Sequence, residues 1–444
     1  MREDYKNDWV EASLVKDLNY LKTGVEEYDG KKDYYSTGSI KDDSINSEGF
    51  YAYSDRPSRA NRVGQIGDIL QARMKDTNKA VLINNNLNNQ LFSTGFFQIR
   101  TDPESLLPKY LFHYFQSFLF LNQKDTNCSG STQSALNDKS AQKLFVPISP
   151  IPIQRAIVAK IEELFSDLDK GIADLKKAQD QLVIFRQAVL KKAFEGELTK
   201  EWREKHSDIN KVWQFMSFGN VFSDKPQNGI YKPGTDYGSG TKILRIDGFY
   251  NGVILYDYNY QRVRLENSEI KKYSLSHGDI VINRVNSMSH LGKCGLVKKL
   301  DESLVFESNI MKINLNFDLV LSEYITYYLA SHKGVSELVK NAKQAVNQAS
   351  INQKDVSNAI IPFCSKEEQH QVIREIESRL SVCDKVEQSI AESLEKAKAL
   401  RQSILKKAFE GTLLSEEKIA KCKAAIDYEP ASVLLKKIKA EKKK

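Results

Sequence analysis

The chain has 444 residues, too many for a single hydrophobic core, so we expect at least two globular units. With 41% hydrophobic residues, and neither an apolar run of about 18 residues nor an apolar signal-peptide core, it is expected to be a soluble cytoplasmic protein without a membrane partner. The net charge of +7 favours an anionic partner without identifying one, because 65 basic residues are nearly balanced by 58 acidic ones.

An internal repeat sets the order of the elements along the chain. The segment Leu190–Gly196, LKKAFEG, returns unchanged at 405–411, and Gln154 matches Gln369 at the same offset of 215 residues. We therefore expect five segments: a variable domain at 1–149, a long helix at 150–200, a second variable domain at 201–363, a second long helix at 364–413 and a C-terminal helical tail at 414–444.

The first variable domain repeats loosely in the second. Residues 67–70, followed by Arg73, resemble residues 278–281, followed by Arg284, which predicts a short apolar strand before each arginine. The apolar, aromatic run from Tyr110 to Phe120 predicts a helix. Both variable domains are expected to be rich in β-strands with some helix.

The two matched segments predict long amphipathic helices. Apolar residues recur at three-and-four spacing, and each helix of about 40 residues would be roughly 60 Å long. Such a narrow apolar stripe needs a partner, and the simplest is the other copy in an antiparallel coiled coil, rather than two unrelated surface helices. The residues expected to pack between the helices are Ile161, Leu168, Leu175, Leu182, Val189, Ile376, Ile390, Leu394 and Ile404. The stripe also includes Phe185, Val386 and Leu400.

The second variable domain contains short apolar strands between glycine and asparagine turns, at 242–246, 278–282, 295–297 and 310–313. The expected fold class is therefore α+β: two β-rich domains separated by a long antiparallel two-helix coiled coil, with a pseudo-twofold internal repeat.

Signatures of catalysis are missing from the sequence. There is no phosphate-binding G-x-x-x-x-G-K-[ST] motif, no Asp/Asn-Pro-Pro-Tyr/Phe tetrad of an adenine methyltransferase, no H-E-x-x-H and no C-x-x-C pair. Asp257 with Glu269 and Lys271 only superficially resembles a nuclease cluster. We expect no catalytic residue, no metal site and no cofactor in this chain.

Several short motifs accompany the repeated long helices: 130–133 (GSTQ), 151–158 (IPIQRAIV), 186–190 (RQAVL), 197–199 with 202–203 (ELT, WR) and 434–441 (LLKKIKAE). Together with the repeat they resemble the specificity subunit of type I restriction-modification systems, and the match covers nearly the whole chain. One departure is that the second copy has AVNQ at 345–348 where the first has GSTQ.

The resemblance implies that each variable domain is a target recognition domain for one half of an asymmetric, bipartite site in double-stranded DNA. The helix pair would set the unspecified gap. Two methyltransferase (M) subunits, which bind S-adenosylmethionine and flip an adenine out of the duplex, and two restriction and motor (R) subunits would be the partners. The sites for S-adenosylmethionine, ATP and Mg would then belong to those partners. The tail would dock a methyltransferase subunit, close back on the N-terminal domain, or form a frayed basic end.

The candidate DNA contacts are polar and basic residues in loops, because bases are read by Arg, Lys, Asn, Gln, Ser or Thr and phosphates attract basic groups. A solvated loop is the alternative for each. In the second domain they are Arg245, Asn283, Arg284, Asn286, Ser287, Lys293 and Gln348, and in the first Arg73, Lys75, Lys79, Ser131, Thr132 and Gln133.

Two rival functions remain open from the residues alone. A self-sufficient DNA nuclease predicts magnesium-dependent cleavage by the purified chain. A coiled-coil scaffold unrelated to nucleic acid predicts no sequence-selective DNA binding at physiological salt.

Overall fold

The structure is a computed structural model that describes residues 8–41, 44–130, 134–206, 213–346 and 348–442. The chain divides into two compact units, one formed by Met1–Leu175 with Glu392–Lys444 and the other by Lys176–Ala391. Unit 1 and unit 2 each combine one variable domain with part of both long helices. Unit 1 is therefore formed by two separate stretches of the chain, and unit 2 by one.

The two long helices are Ile151–Phe194 and Lys366–Phe409, each of 44 residues. In unit 1 Arg401 lies 3.1 Å from Asp169, and in unit 2 Arg186 lies 2.7 Å from Asp384. Residue numbers rise along one helix as they fall along the other, so the helices pack antiparallel. The predicted fold class, two β-rich domains with an antiparallel long-helix pair, is confirmed.

The helix pair buries a narrower stripe than the sequence pattern suggests. Of the predicted packing residues, Ile161, Val189, Ile376, Ile390 and Ile404 are buried, and Leu168, Leu175, Leu182 and Leu394 are half-buried. The wider pattern was wrong at Phe185, Val386 and Leu400, which are 49%, 41% and 51% exposed. A two-helix pair covers only one seam, and the pattern overlooked the buried Cys383 and Ala397 in it.

Unit 1 contains two four-stranded sheets. Listed in spatial order, the first has strands Gly49–Tyr51, Lys32–Tyr35, Leu91–Ser93 and Ala60–Val63, and the second Asn19–Tyr20, Phe96–Arg100, Ile69–Ala72 and Ala80–Leu82. Two-stranded pairs join Val10–Ser13 to Phe145–Ile148 and Ile40–Lys41 to Ser44–Ile45. The shorter helices are Pro108–Gln116, Phe118–Thr126, Asp138–Ala141, Glu416–Lys423 and Ala431–Glu441, with 3-10 turns at Thr37–Ser39 and Asn85–Leu87.

Unit 2 is built on a six-stranded sheet, in spatial order Gln227–Asn228, Ile310–Ile313, Ile280–Asn283, Cys294–Leu296, Gly252–Ile254 and Phe249–Tyr250. Two three-stranded sheets contain Arg262–Val263, Tyr237–Leu244 and Leu304–Phe306, and Val285–Asn286, Gln348–Ser350 and Lys343–Ala345. Gln214–Ser217 pairs with Ile360–Phe363. The shorter helices are Lys200–Lys205, Asn267–Tyr273, Ser322–Leu329, His332–Val339 and Gln353–Asn358, with 3-10 turns at Phe218–Val221 and Gly234–Asp236.

The phenylalanine of the repeated LKKAFEG box attaches the end of a long helix to a domain. In unit 1 the ring of Phe409 lies 5.2 Å from that of Tyr110 and 5.0 Å from that of Tyr114. In unit 2 Phe194 lies 5.3 Å and 5.2 Å from two tyrosines at the equivalent positions, Tyr324 and Tyr328. Edge-on aromatic contacts of this kind add stability beyond the area they bury.

A repeated glutamine makes a second attachment. Its side-chain oxygen accepts the backbone N–H of the first residue of a short helix: Gln402 binds Phe118 at 2.9 Å, and Gln187 binds His332 at 3.0 Å. The first N–H groups of a helix have no partner within the helix, so this bond satisfies one of them. This glutamine and the phenylalanine of the LKKAFEG box, both unchanged between the copies, therefore attach a domain to the helix pair in each unit.

The C-terminal tail packs on the N-terminal part of unit 1. Leu434 and Ile438 are 1% and 7% exposed in the same hydrophobic core as the end of the second long helix. Lys423 lies 2.7 Å from Asp8, and a further ion pair joins Lys439 to the N-terminal segment. Of the three expectations for the tail, closure onto the N-terminal domain is the one that the structure contains.

Candidate nucleic-acid interface

Two of the predicted residues of unit 2, Asn286 and Gln348, lie on one small three-stranded sheet. Strand Ile280–Asn283 is followed by Val285–Asn286, which pairs antiparallel with Gln348–Ser350, and the latter pairs with Lys343–Ala345. We call residues 283–287, Lys293 and these two paired strands surface 2. Asn286 and Gln348, which are far apart in the sequence, are thereby carried by the same sheet, and Ser287 directly follows it.

Polar atoms at the start of surface 2 are buried without a partner. Asn283 is 1% exposed, and its Oδ1 has no hydrogen-bond partner among the residues that the structure describes. Arg284 donates from Nη1 to the Ser308 carbonyl at 3.0 Å, but its Nε is buried and unbonded within the same residues. Burial lowers the pKa of the Arg284 guanidinium. An unpaired buried polar atom costs about 1–3 kcal/mol, so these groups have bonding capacity left for water or a ligand.

The other predicted residues of unit 2 are more open. Ser287 is exposed, and its Oγ lies 3.0 Å from His290 Nδ1. The ammonium of Lys293 lies 4.1 Å from the centre of the Tyr250 ring. Asn286 is half-buried, with its Oδ1 accepting the backbone N–H of Ser287 at 2.7 Å, and Gln348 is exposed.

Arg245 belongs to another sheet, just beyond strand Tyr237–Leu244. Its Nε lies 3.3 Å from the carboxylate of Glu307, and its Nη1 donates to Gln261 at 3.0 Å. Glu307 directly precedes Ser308, the residue that binds Arg284. Arg245 is thus a neighbour of surface 2 whose charge is already paired.

Unit 1 has a related surface, formed where Arg73 and Lys75 pair with residues 134–136. Leu136 N–H donates to the Arg73 carbonyl at 2.8 Å, and Lys75 N–H donates to the Ser134 carbonyl at 3.0 Å. We call residues 73–79 and 134–136 surface 1. The predicted contacts Ser131, Thr132 and Gln133 lie outside the described residues.

The backbone pairing of surface 1 matches that of surface 2. In unit 2 Ile351 N–H donates to the Arg284 carbonyl at 3.0 Å, and Asn286 pairs with Ala349. Ile351 and Ala349 are the repeat partners of residues 136 and 134 at the offset of 215. The duplication therefore includes the backbone of both surfaces, although most of their side chains, apart from Arg73 and Arg284, differ.

The guanidinium of Arg73 is committed within unit 1. It lies 2.8 Å from the Asp138 carboxylate and 2.8 Å from the Tyr20 hydroxyl, and its Nε donates to the Phe96 carbonyl at 3.2 Å. Lys79 donates to a backbone carbonyl at 2.7 Å, whereas Lys75 is exposed. Arg73 organises surface 1, and Lys75 is the predicted residue whose charge is presented to solvent.

The structure also tests the nuclease-like pattern and the expected lack of a metal site. Among the described residues, no three or more His, Cys, Asp or Glu side chains are grouped so that they could hold a metal ion. Glu269, part of the superficial nuclease pattern, lies 2.8 Å from Lys232 and caps helix Asn267–Tyr273. Within the same residues no helix combines the length and apolarity required to cross a membrane.

Comparison with known proteins decides the family. The type I restriction modification DNA specificity domain matches residues 14–177 and again 210–396. The chain belongs to this family. These two matches contain surface 1 and surface 2, so each domain of this specificity-family protein has one of the candidate interfaces.

Relatives match over most of their length. The EcoKI type I restriction enzyme specificity subunit of Escherichia coli K12 is 28% identical over 344 residues, covering 77% of this chain and 73% of that protein. The StySPI specificity subunit of Salmonella potsdam is 28% identical over 352 residues, covering 79% and 75%. One chain of a solved type I R-M complex has the same fold, with a TM-score of 0.66 at 21% identity over 91% of this chain and 98% of that one.

Family membership confirms the resemblance inferred from the sequence motifs. This is a DNA specificity subunit, a type of protein that is not itself the catalytic subunit of the restriction-modification system. The nuclease and scaffold alternatives are not favoured.

Proposed function

We propose that unit 1 and unit 2 each read one half of an asymmetric, split site in double-stranded DNA, through surface 1 and surface 2. The observation that supports this most strongly is that the two surfaces share their backbone pairing but differ in side chains. Arg73, Met74 and Lys75 stand where the second copy has Arg284, Val285 and Asn286. Equivalent backbones with different side chains favour two different half-sites, because base edges are distinguished by side-chain hydrogen bonds and apolar contacts.

The proposal extends to the complex. The chain acts with two methyltransferase subunits and two restriction and motor subunits, which supply S-adenosylmethionine, ATP and Mg together with their chemistry. The long-helix pair sets the gap between the half-sites and docks the methyltransferase subunits. The specificity subunit contributes only DNA recognition and assembly.

Methylome sequencing of a host that expresses the complete system tests this function. We expect one bipartite motif with an unspecified gap. Exchanging the residues before Pro147 for those of another family member is expected to change one half of the motif and to leave the other half intact. A contiguous motif, or a change in both halves, would contradict the proposal.

Arg284→Gln is expected to weaken binding of the methyltransferase complex to its cognate duplex by about 1–3 kcal/mol, as for loss of a base-contacting arginine. Discrimination should fall only in the half-site that unit 2 reads. Arg262→Gln is the matched control, because this arginine is already paired with Glu302 at 2.9 Å in another sheet of the same unit. Affinities measured on duplexes with one half-site substituted check the prediction, and equal losses from both variants would refute it.

A further inference from the structure

Lys124 of unit 1 is a buried charge that the proposed function does not use. It lies in helix Phe118–Thr126, and its side chain is 0% exposed. Its ammonium donates to the carbonyls of Met74 at 2.6 Å and Thr77 at 3.0 Å, and lies 2.9 Å from the Asp125 carboxylate. The ammonium therefore makes two hydrogen bonds, both to loop carbonyls, and one ion pair with its neighbour in the sequence.

The two carbonyls belong to the exposed loop of surface 1. Between them lie Lys75, which is exposed, and Asp76, whose φ of 55° is in the left-handed region that favours glycine. A non-glycine residue persists in this conformation when its surroundings hold it there. The strand pairing with residues 134–136 holds the start of the loop, and Lys124 binds the carbonyls on either side of the strained residue.

Unit 2 supports its surface differently. The short helices Pro108–Gln116 and Phe118–Thr126 of unit 1 correspond to Ser322–Leu329 and His332–Val339 of unit 2 at an offset of 214 residues, which matches Ser117 with Ser331. At the same offset Lys124 matches Leu338. Leu338 is also 0% exposed, and it belongs to the hydrophobic core of unit 2. One buried position thus has an ammonium in unit 1 and an apolar side chain in unit 2.

Burying an ammonium group at a core position has a high desolvation free energy. Removing a charge from water costs several kcal/mol, which only well-placed acceptors can offset, and an apolar residue of similar volume is often at least as stabilising. The leucine in the other copy shows that this helix position accepts an apolar side chain. What Lys124 adds is a fixed geometry for the loop from Met74 to Thr77.

We propose that Lys124 is a positioning residue for the half-site that unit 1 reads. By binding the loop at two carbonyls, it holds Lys75 and its neighbours in a single arrangement towards DNA. This inference rests on the proposed function, because it assumes that surface 1 contacts one half-site.

The test uses the full chain in complex with its methyltransferase subunits and three duplexes: the cognate site, the site with the first half substituted, and the site with the second half substituted. The domain exchange before Pro147 identifies which half unit 1 reads. For Lys124→Met we expect the binding preference for the cognate duplex over the duplex whose unit 1 half-site is substituted to fall at least about tenfold, within the range for losing recognition of a base pair. The preference for the cognate duplex over the one whose unit 2 half-site is substituted should stay within about twofold of the wild-type value. Leu338→Met is the matched control in the equivalent helix and should change neither preference beyond about twofold.

Unchanged preferences in a folded Lys124→Met complex, or equal loss of both, would overturn the role of Lys124. If this variant does not fold, Lys124→Gln serves the same comparison, because its amide keeps N–H donors for the loop carbonyls. Its unit 1 preference should still fall, by less than tenfold, and backbone amides 74–79 should exchange hydrogen faster than in the wild type. No change in either quantity overturns the proposal. A wild-type complex that discriminates at neither half-site overturns the proposed function as well, so the two failures are distinguishable.

Discussion

Removing about seven facing residues from each long helix, 174–180 and 390–396, is expected to shorten the gap in the recognised site by at most about three base pairs. Seven residues are two helical turns, or about 10 Å, and B-DNA rises about 3.4 Å per base pair. One heptad is removed from each helix, so the packing seam stays in phase. The Arg401–Asp169 and Arg186–Asp384 ion pairs are both retained.

The measurement is again the methylome of a host carrying the altered system. A deletion of 174–180 alone is the control: the two helices then differ in length, their side chains lose register, and we expect methylation to be lost. A paired deletion that supports methylation with an unchanged gap would show that the helices do not set the spacing.

Ending the chain after Gly411 is expected to unfold unit 1. The tail buries Ala431, Leu434 and Ile438 in the core that also receives the end of the second long helix. Full burial of one large apolar side chain contributes about 1.5–3 kcal/mol, and whole domains are stable by only about 5–15 kcal/mol. Thermal unfolding followed by circular dichroism should therefore show the loss or a marked lowering of one transition.

Two point variants sharpen this prediction. Leu434→Ala, at a position only 1% exposed, should cost about 2–5 kcal/mol of unfolding free energy. Val433→Ala, at the neighbouring 37% exposed position, should change it by no more than about 0.5 kcal/mol. Equal stabilities for the two variants would mean that the tail does not complete the core.

The sequence was most informative where it repeats. Identical residues at a fixed offset predicted the helix pair, and Phe194, Phe409, Gln187 and Gln402 prove to be the residues that attach it to the domains. Periodicity was less selective, because an apolar residue on a long helix can face either its partner or solvent. Phe185 fits the pattern as well as Leu182 does, yet it is 49% exposed.

The amino-acid composition located the loops of the candidate interface, but it did not show which of their side chains are already bonded to other protein groups. Arg73 and Arg284 occupy equivalent positions, but whether a guanidinium is already bonded depends on distant residues such as Asp138 and Ser308. Lys124 was missed altogether. Lysine is almost never fully buried, so a single lysine near the end of an aromatic helix gives no sign that it supports a loop 50 residues away.

The glutamine and phenylalanine attachments are the same in both units, and this allows the variable domains to be exchanged at the level of the gene. Each variable domain contacts the helix pair through the same glutamine and phenylalanine interactions, whichever bases the domain recognises. A recombination event with both ends in the repeated segments can therefore insert a foreign variable domain that already fits the contact residues of the helix pair. A new target sequence can then be acquired by exchanging a whole domain, without evolving new contacts to the helices.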